Sequence, residues 1–447
     1  MWSTKRPSRL LSRALLRTSI SAGLRLHGWI RCLVGVCVWW GVAHFLGFRI
    51  RLVVCCRRVK PSSSLGLPLP PHQGIEIAFS DGTHGVAQLL VRRLHMDDVV
   101  SVVAYDDEVE VVAKPATGDE QEELARQIEG ITVGGMTNLS GGWLRGHDLV
   151  AENRREGGVN RILLLTDGHA NRGITAPEQL IGLTRAATEV GISTTTIGFG
   201  PGYDEDLLQA MADAGRGGTY YIEHADQASG VFEEELEGLL SLAAQNIRIG
   251  IRPGKDADFV RVVHQYPSHA DGDDLTIEVG DLYAREPRRV LMEFLLRPES
   301  SDAKEAAVAH ITLTAHVLTE GGGVQLHTID LPITLTPEEG GKADPTVRKE
   351  VLLLEAAEAR EVALEAQRRG DYRGGSAKLR EAIVHLEAGP SGDAELTEEL
   401  EDLLAMDTQF RQEQVAEGDI KYMKQRMYDT HRSRSSSKGR IGRTGRE

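Results

Sequence analysis

Cysteine is missing from most of this chain, because all four cysteines lie within the first 60 of its 447 residues. The other 387 residues therefore have neither a disulfide framework nor a thiolate zinc site. Aromatic residues make up only 5% of the chain, and four of its five tryptophans also lie in that first stretch. Apolar residues still reach 41%, which allows packed cores and excludes a wholly disordered chain. The length predicts two to three domains.

Acidic residues are absent from residues 1–60, which carry twelve lysines or arginines. The rest of the chain holds 39 basic and 66 acidic residues, a balance of −27. So acidic a body argues against nucleic-acid binding, which needs a basic face. The fifteen histidines show no spacing typical of a zinc centre.

The first 49 residues are an atypical basic and apolar segment. Residues 33–48 form an uncharged apolar run of sixteen, somewhat shorter than the roughly 20 residues that cross a bilayer. Three interpretations stay open: a membrane anchor through residues 29–48, a folded strand region, or sequence that is not natural coding sequence. Localisation depends on this choice. Cytoplasmic is favoured, and a membrane-anchored or cell-surface protein is the alternative.

From residue 50 onward, short apolar segments alternate with amphipathic ones. RILLLTDG at 161–168 is a continuous apolar run typical of a buried parallel strand. Helical segments of ten to fifteen residues separate such strands, which predicts βαβ units. We therefore expect an α/β domain at 50–244, with a doubly wound, mostly parallel sheet whose first strand is 50–59.

The pattern changes after residue 244. Residues 245–336 alternate apolar and polar positions between turn clusters, which predicts an antiparallel β-sandwich. Residues 346–428 predict a C-terminal helical segment, with a hairpin followed by one helix over 394–428. Residues 429–447 form a basic tail rich in Ser and Gly, which predicts disorder.

Hydroxyl and carboxylate oxygens cluster in three loops that are expected at the carboxyl ends of strands. Ser62 and Ser64 lie in KPSSSLG, Thr137 in GGMTNLSGG, and Asp167 in TDGHANRG. Ligands of open α/β sheets bind at this edge. Hard oxygen donors suit Mg²⁺, which keeps several of its waters.

The segments GGMTNL and LLLTDGHANRGIT resemble those of the von Willebrand factor type A family. VVSVVAYDDEVEVV and the closing segment around TTTIGFGPGYDED are also similar to that family. The resemblance implies a Rossmann-like fold and a metal-ion-dependent adhesion site, built from D-x-S-x-S, a later Thr, and the Asp of T-D-G. By this resemblance the ligands of Mg²⁺ or Mn²⁺ are Ser62, Ser64, Thr137 and Asp167. The sandwich and helical tail resemble the flanking regions of bacterial stand-alone members.

The first metal motif departs from the family pattern. Lys60 stands where the family has Asp, which places a positive charge beside the expected dication. Asp81 begins a second similar stretch, D-G-T-H-G. However, apolar residues continue at helical spacing from Ile75 to Leu94, which predicts that Asp81 lies inside a helix.

The resemblance implies a protein-binding module without enzymatic activity, whose partner presents an Asp or Glu to the metal. If Lys60 prevents metal binding, a metal-free site or another surface is expected instead. The alternative from a different class is a structural scaffold that binds through the sandwich or the C-terminal helices. An enzyme is not expected, because no nucleophile–base arrangement and no phosphate-binding loop appears.

Overall fold

The structure is a computed structural model, which describes residues 24–26, 30–38, 48–58, 74–80, 83–92, 99–117, 120–131, 135–154, 160–222, 242–283, 288–297, 305–318, 324–335, 344–390 and 392–433. The strands of this part are β1 (Leu24–Leu26), β2 (Ile30–Val38), β3 (Phe48–Arg58), β4 (Gly74–Phe79), β5 (Val99–Tyr105), β6 (Val109–Thr117), β7 (Asn160–Thr166), β8 (Ile192–Phe199), β9 (Arg216–Ile222), β10 (Leu242–Pro253), β11 (Ala257–Val262), β12 (Ser268–Asp271), β13 (Asp274–Tyr283), β14 (Arg288–Leu296), β15 (Ala306–Leu318) and β16 (Val324–Leu335). The helices are α1 (His84–Val91), α2 (Gln121–Glu129), α3 (Leu139–Glu152), α4 (Pro177–Glu189), α5 (Glu205–Ala214), α6 (Pro345–Arg368), α7 (Tyr372–Glu387), α8 (Ala394–Arg411) and α9 (Glu417–His431).

A six-stranded sheet forms the centre of the α/β unit, in the order β6-β5-β4-β7-β8-β9. All neighbouring pairs are parallel except β5 with β6. Every residue of β7 is buried, as expected for an apolar strand covered by helices on both faces. Two apolar cores lie on opposite faces of this sheet, one beneath α1 and α2 and the other beneath α3, α4 and α5. The predicted doubly wound α/β fold is confirmed.

Two antiparallel sheets follow the predicted sandwich pattern. One has the order β1-β2-β3-β14-β11 and the other β12-β13-β10-β15-β16. Alternating residues of their strands meet in one apolar core that includes Ile249, Phe294 and Ile311. The first sheet takes three strands from before the α/β unit, so the chain leaves the sandwich after β3 and returns to it at β10.

This order corrects the predicted start of the α/β sheet. Residues 50–59 were expected as its first strand, but β3 pairs with β2 and β14 in the sandwich. The first strand of the parallel sheet is β4, which lies between β5 and β7. The helix predicted from Ile75 to Leu94 is therefore wrong in its first part. Apolar residues at 75, 77 and 79 alternate as in a strand, but 75 and 79 also have the spacing of four residues that is typical of a helix. The apolar spacing alone therefore predicted the wrong element.

The N-terminal segment contains β1 and β2, which agrees with the folded-strand interpretation for residues 30–38. Within the described part of the chain, no helix is both long and apolar enough to cross a membrane. Residues 223–241 lie outside the described residues, and β10 begins at Leu242.

The C-terminal helices pack around their own core, in which Leu379, Leu403 and Phe410 are fully buried. The single helix predicted over 394–428 is two helices, α8 and α9. The chain reverses between them at Glu413, whose φ is 54°. The second helix continues to His431, so helical structure extends past residue 429, where a disordered tail was expected.

Candidate functional site

The carboxyl ends of β4 and β7 bring Ser80 and Asp167 into direct contact. The Ser80 hydroxyl donates to Asp167 Oδ1 at 2.8 Å, and the Asp167 backbone N–H donates to Ser80 Oγ at 3.2 Å. Ser80 is buried, whereas Asp167 is partly exposed at the sheet edge. The pair therefore fixes a carboxylate in an orientation that solvent can reach.

Thr137 lies beside this pair, in the loop that precedes α3. Its N–H donates to Asn171 Oδ1 at 2.7 Å, and its carbonyl accepts from the Asn171 N–H at 3.2 Å. A Cβ added to Gly168 would lie only 2.8 Å from Thr137 Oγ1. Glycine at 168 thus lets the Thr137 hydroxyl approach the residue next to Asp167. Two loops that are distant in sequence present their oxygens together.

Tyr105, at the end of β5, helps to fix the end of the strand that precedes Asp167. Its hydroxyl donates at 2.5 Å to the carbonyl of Leu165 on β7, across the intervening β4. Burial raises the pKa of this hydroxyl well above its usual value, so Tyr105 remains a donor at any physiological pH. The bond ties β5 to the end of β7, immediately before Asp167.

The loop after β8 contacts Asp167 from the other side. A Cβ at Gly202 would lie 2.6 Å from the Asp167 carbonyl oxygen, so only glycine allows this approach. The next residue, Tyr203, is held by Lys421 of α9, whose Nζ donates to the Tyr203 carbonyl at 3.0 Å and to Glu205 at 2.8 Å. Helix α9 thus contacts the site through one intervening loop.

Glu205 carries a permanent negative charge at this contact. Burial alone would raise the pKa of its carboxyl, but hydrogen bonds from Lys421 and Lys424 lower it to about 2. Lys421 is buried at this contact, whereas the Glu205 side chain is 27% exposed. The contact between α9 and the loop after β8 is therefore kept across the neutral pH range.

The structure brings two of the four predicted ligands together, Thr137 and Asp167. Their role as ligands stays a prediction. Ser62, Ser64 and Lys60 lie outside the described residues. They follow β3, which belongs to the sandwich, so the argument that placed them at this edge no longer applies.

Sequence reasoning missed Ser80. Asp81 lies outside the described residues, and the reason for assigning it to a helix no longer applies, because a strand occupies Gly74–Phe79. Thr83 is buried and its hydroxyl donates to the Ser80 carbonyl at 2.6 Å. The signal was present in the stretch SDGTHG, which directly follows an apolar segment. It would have required β4 to be recognised as a strand.

The chemistry of the described donors fits a hard cation in type. Ser80, Thr137 and Asp167 offer two hydroxyls and one carboxylate, all oxygen. Among the described residues no group of three or more His, Cys, Asp or Glu could hold a metal ion. A cation here would therefore depend on hydroxyl and water ligands, with little protein charge to hold it.

Comparisons with known proteins agree with this geometry. Residues 83–234 match the model of the von Willebrand factor type A domain. The uncharacterized protein YfbK of Escherichia coli K12 is 25% identical over 221 residues, which are 48% of this chain and 38% of that protein. The chain thus spans well under half the length of this relative.

Two solved structures share the fold. The von Willebrand factor type A protein from Catenulispora acidiphila aligns with a TM-score of 0.64 at 14% identity, over 95% of this chain and 98% of its own. The ArnB paralog VWA2 from Sulfolobus acidocaldarius aligns with a TM-score of 0.54 at 14% identity, over 90% and 98%. At such identities the likeness concerns the fold alone. The strand order, the Thr137–Asp167 edge and the family match together lead to one conclusion: this chain carries a von Willebrand factor type A domain, joined to a β-sandwich and a helical segment.

Proposed function

We propose that the carboxyl edge of the parallel sheet binds a protein partner through a Mg²⁺ ion held at Thr137 and Asp167. Domains of this family often mediate protein–protein interactions. The observation that carries the proposal is the placement of the Thr137 hydroxyl against Gly168, the residue that follows Asp167. When bound, the ion would supply an open coordination position for a carboxylate of the partner.

The chain's own residues prepare this position. Ser80 orients the Asp167 carboxylate, and Asn171 hydrogen-bonds both the N–H and the carbonyl of Thr137. Two candidates remain for the further ligands. Ser62 and Ser64 are the ones that the sequence pattern predicted, and Asp81 with Thr83 follow the strand that lies beside β7. The sheet topology favours Asp81 and Thr83, because β4 and β7 end side by side.

A Mg²⁺ titration of the full chain tests the proposal. We expect Mg²⁺ to raise the thermal unfolding midpoint of the parent protein, because an ion that binds only the folded state stabilises it. Asp167→Ala and Thr137→Ala should abolish the rise. Asp148→Ala, at an exposed position on α3, is the matched control and should retain it.

Two more variants distinguish the ligand sets. Asp81→Asn should weaken the Mg²⁺ response if the loop after β4 contributes, whereas Ser62→Ala should weaken it if the predicted set is right. If only Lys60→Asp responds to Mg²⁺, the site of the parent protein is metal-free. A parent protein without any response, together with an unresponsive Lys60→Asp variant, would contradict the proposal.

The second candidate function is a structural scaffold, and helix α9 favours it. This helix joins all three parts of the molecule: Lys421 contacts the α/β unit, Arg426 pairs with Glu399 of α8, and the Arg432 carbonyl accepts from Tyr266 of the sandwich. A molecule fastened in this way suits a role as a rigid spacer. Mg²⁺-independent self-association of the full chain would favour this function over the first.

A further inference from the structure

A cleft of about 470 Å³ lies between the α/β unit and the sandwich. One wall is formed by the carboxyl ends of α4 and α5 and the start of β9, and the other by β10, β12 and β13. Because the helices run against the parallel strands, this cleft lies at the amino edge of the sheet, opposite to Asp167. It is thus separate from the site proposed above.

Arginine dominates the polar lining of this cleft, which we call the arginine cleft. It contains five arginines from all three parts of the molecule, namely Arg185, Arg216, Arg248, Arg288 and Arg432. The lining also contains four carboxylates, Glu189, Asp213, Glu278 and Asp281. The balance between these two sets decides what the cleft attracts.

Each of the four carboxylates lies within 4 Å of an arginine. Arg216 approaches Glu278 at 3.3 Å and Glu189 at 3.9 Å, and Arg432 approaches Asp213 at 2.6 Å. The fourth, Asp281, lies 3.4 Å from Arg161, a buried arginine behind the lining. With Arg161 included, arginines outnumber carboxylates by two, so the cleft keeps an excess of positive charge.

Two of these arginines are accessible. Arg185 lies on the exposed side of α4 and makes no ion pair with another described residue. The Arg248 side chain is 49% exposed, and its Nε lies 3.8 Å from Glu278 Oε1. Arg216 contacts the other oxygen of the same carboxylate. Both guanidinium groups can therefore turn toward a ligand without breaking a buried contact.

The planar guanidinium group of arginine can donate two parallel hydrogen bonds to the oxygens of a phosphate. Several arginines around one cavity therefore favour the binding of a dianion. The volume lies within the range of pockets for small organic ligands. The side chain of Ile181 lines the same cleft, is partly exposed and can cover part of an organic group. A free inorganic anion would leave this apolar surface uncovered.

We propose that the arginine cleft binds a small organic phosphate, and that the bound phosphate ties the α/β unit to the sandwich. Arg185 and Arg248 contact the phosphate from the two walls. Because these two arginines belong to different parts of the fold, ligand binding and the contact between the parts are coupled. The proposal is independent of Mg²⁺ binding at the opposite edge.

Calorimetric titration of the full chain with adenosine monophosphate tests this, with inorganic phosphate and sodium chloride of equal ionic strength as comparisons. We expect saturable binding of adenosine monophosphate and weaker binding of inorganic phosphate. The double variant Arg185→Gln/Arg248→Gln should raise the Kd for adenosine monophosphate by about tenfold or more, since each lost charge-assisted hydrogen bond is costly. Arg373→Gln, on the exposed side of α7, is the matched control and should bind as the parent does.

Thermal unfolding gives a second readout that does not depend on the heat of binding. Adenosine monophosphate should raise the unfolding midpoint of the parent and of Arg373→Gln, but not that of the double variant. Equal effects of sodium chloride and adenosine monophosphate would overturn the proposal. Unchanged affinity in a folded double variant would overturn it as well.

Discussion

The carboxyl edge of the parallel sheet and the interior of the C-terminal helices are stabilised by different chemistry. At the edge, hydroxyls and backbone groups hold Thr137 and Asp167, and among the described donors Ser80, Thr137 and Asp167 only the last carries a charge. Between the helices, charged groups are buried together: Arg360 and Arg426 both bond to Glu399, and all three are at most 2% exposed. The sheet edge can therefore accept a cation from solution, whereas the charged side chains between the helices are already paired with one another.

This difference suggests two purposes. A buried ion network requires one arrangement of its helices, because any shift leaves a charge without its partner. A hydroxyl-lined edge tolerates the arrival and departure of a cation, because no strong charge is stranded when the edge is empty. Variants of both regions test this contrast.

Removal of Glu399 should have the largest effect on stability. Burial alone would raise the pKa of this carboxyl, but Arg360 and Arg426 lower it, so Glu399 is ionised in the folded protein. Glu399→Leu leaves the buried Arg360 guanidinium without its ion-pair partner and removes the shortest ion pair of Arg426, which keeps Asp402 and Glu398. It should lower the free energy of unfolding by about 3–5 kcal/mol. Chemical denaturation measures this loss. Glu401→Leu, at an exposed position on the same helix, should change it by less than about 0.5 kcal/mol, and a similar loss in both variants would contradict the contrast.

His431 should make the helical part sensitive to mild acid. Burial, together with His264 and Arg432, lowers its pKa to about 4, and its ring nitrogens have no hydrogen-bond partner within the described residues. The unfolded chain takes up this proton near the ordinary value of 6.5, before the folded protein does. Stability is therefore fully present above pH 6.5 and is lost as pH falls toward 4, by about 3 kcal/mol.

His431→Phe should flatten this pH dependence, as measured by urea unfolding between pH 7 and pH 5. His310→Phe replaces an exposed histidine of β15 and should keep the slope of the parent protein. An unchanged slope in His431→Phe would show that His431 does not couple unfolding to pH.

Ser80 should matter less for stability than for the site. Ser80→Ala removes two hydrogen bonds to Asp167 and should lower the free energy of unfolding by about 1–2 kcal/mol. If the edge binds Mg²⁺, the apparent affinity should also fall, because Asp167 is no longer oriented. Ser193→Ala is the control for stability, since it removes a hydrogen bond of 3.0 Å from Arg161 at the opposite edge. Equal Mg²⁺ affinity in both variants would remove Ser80 from the site.

The sequence predicted those parts of the fold in which local pattern and environment agree. RILLLT has only one suitable place, a buried central strand, and the loops with Thr137 and Asp167 follow from the topology. The sandwich strands before residue 60 could not be assigned, because β3 pairs with β14, more than 200 residues away. Ser80 was missed for a related reason, since the β4 segment satisfies helical and strand spacing equally well.

Because the chain returns to the sandwich only after the α/β unit, the first sheet of the sandwich cannot be completed until late in synthesis. Strand β3 ends at Arg58, and its partner β14 begins at Arg288, about 230 residues later. A ribosome that adds about 5–20 residues per second needs roughly 10–50 s to make this stretch. During that interval one edge of β3 has no native partner, which is a hazard for pairing between nascent chains. The α/β unit can complete its sheet within the same interval, so we expect it to fold before the sandwich that surrounds it in sequence.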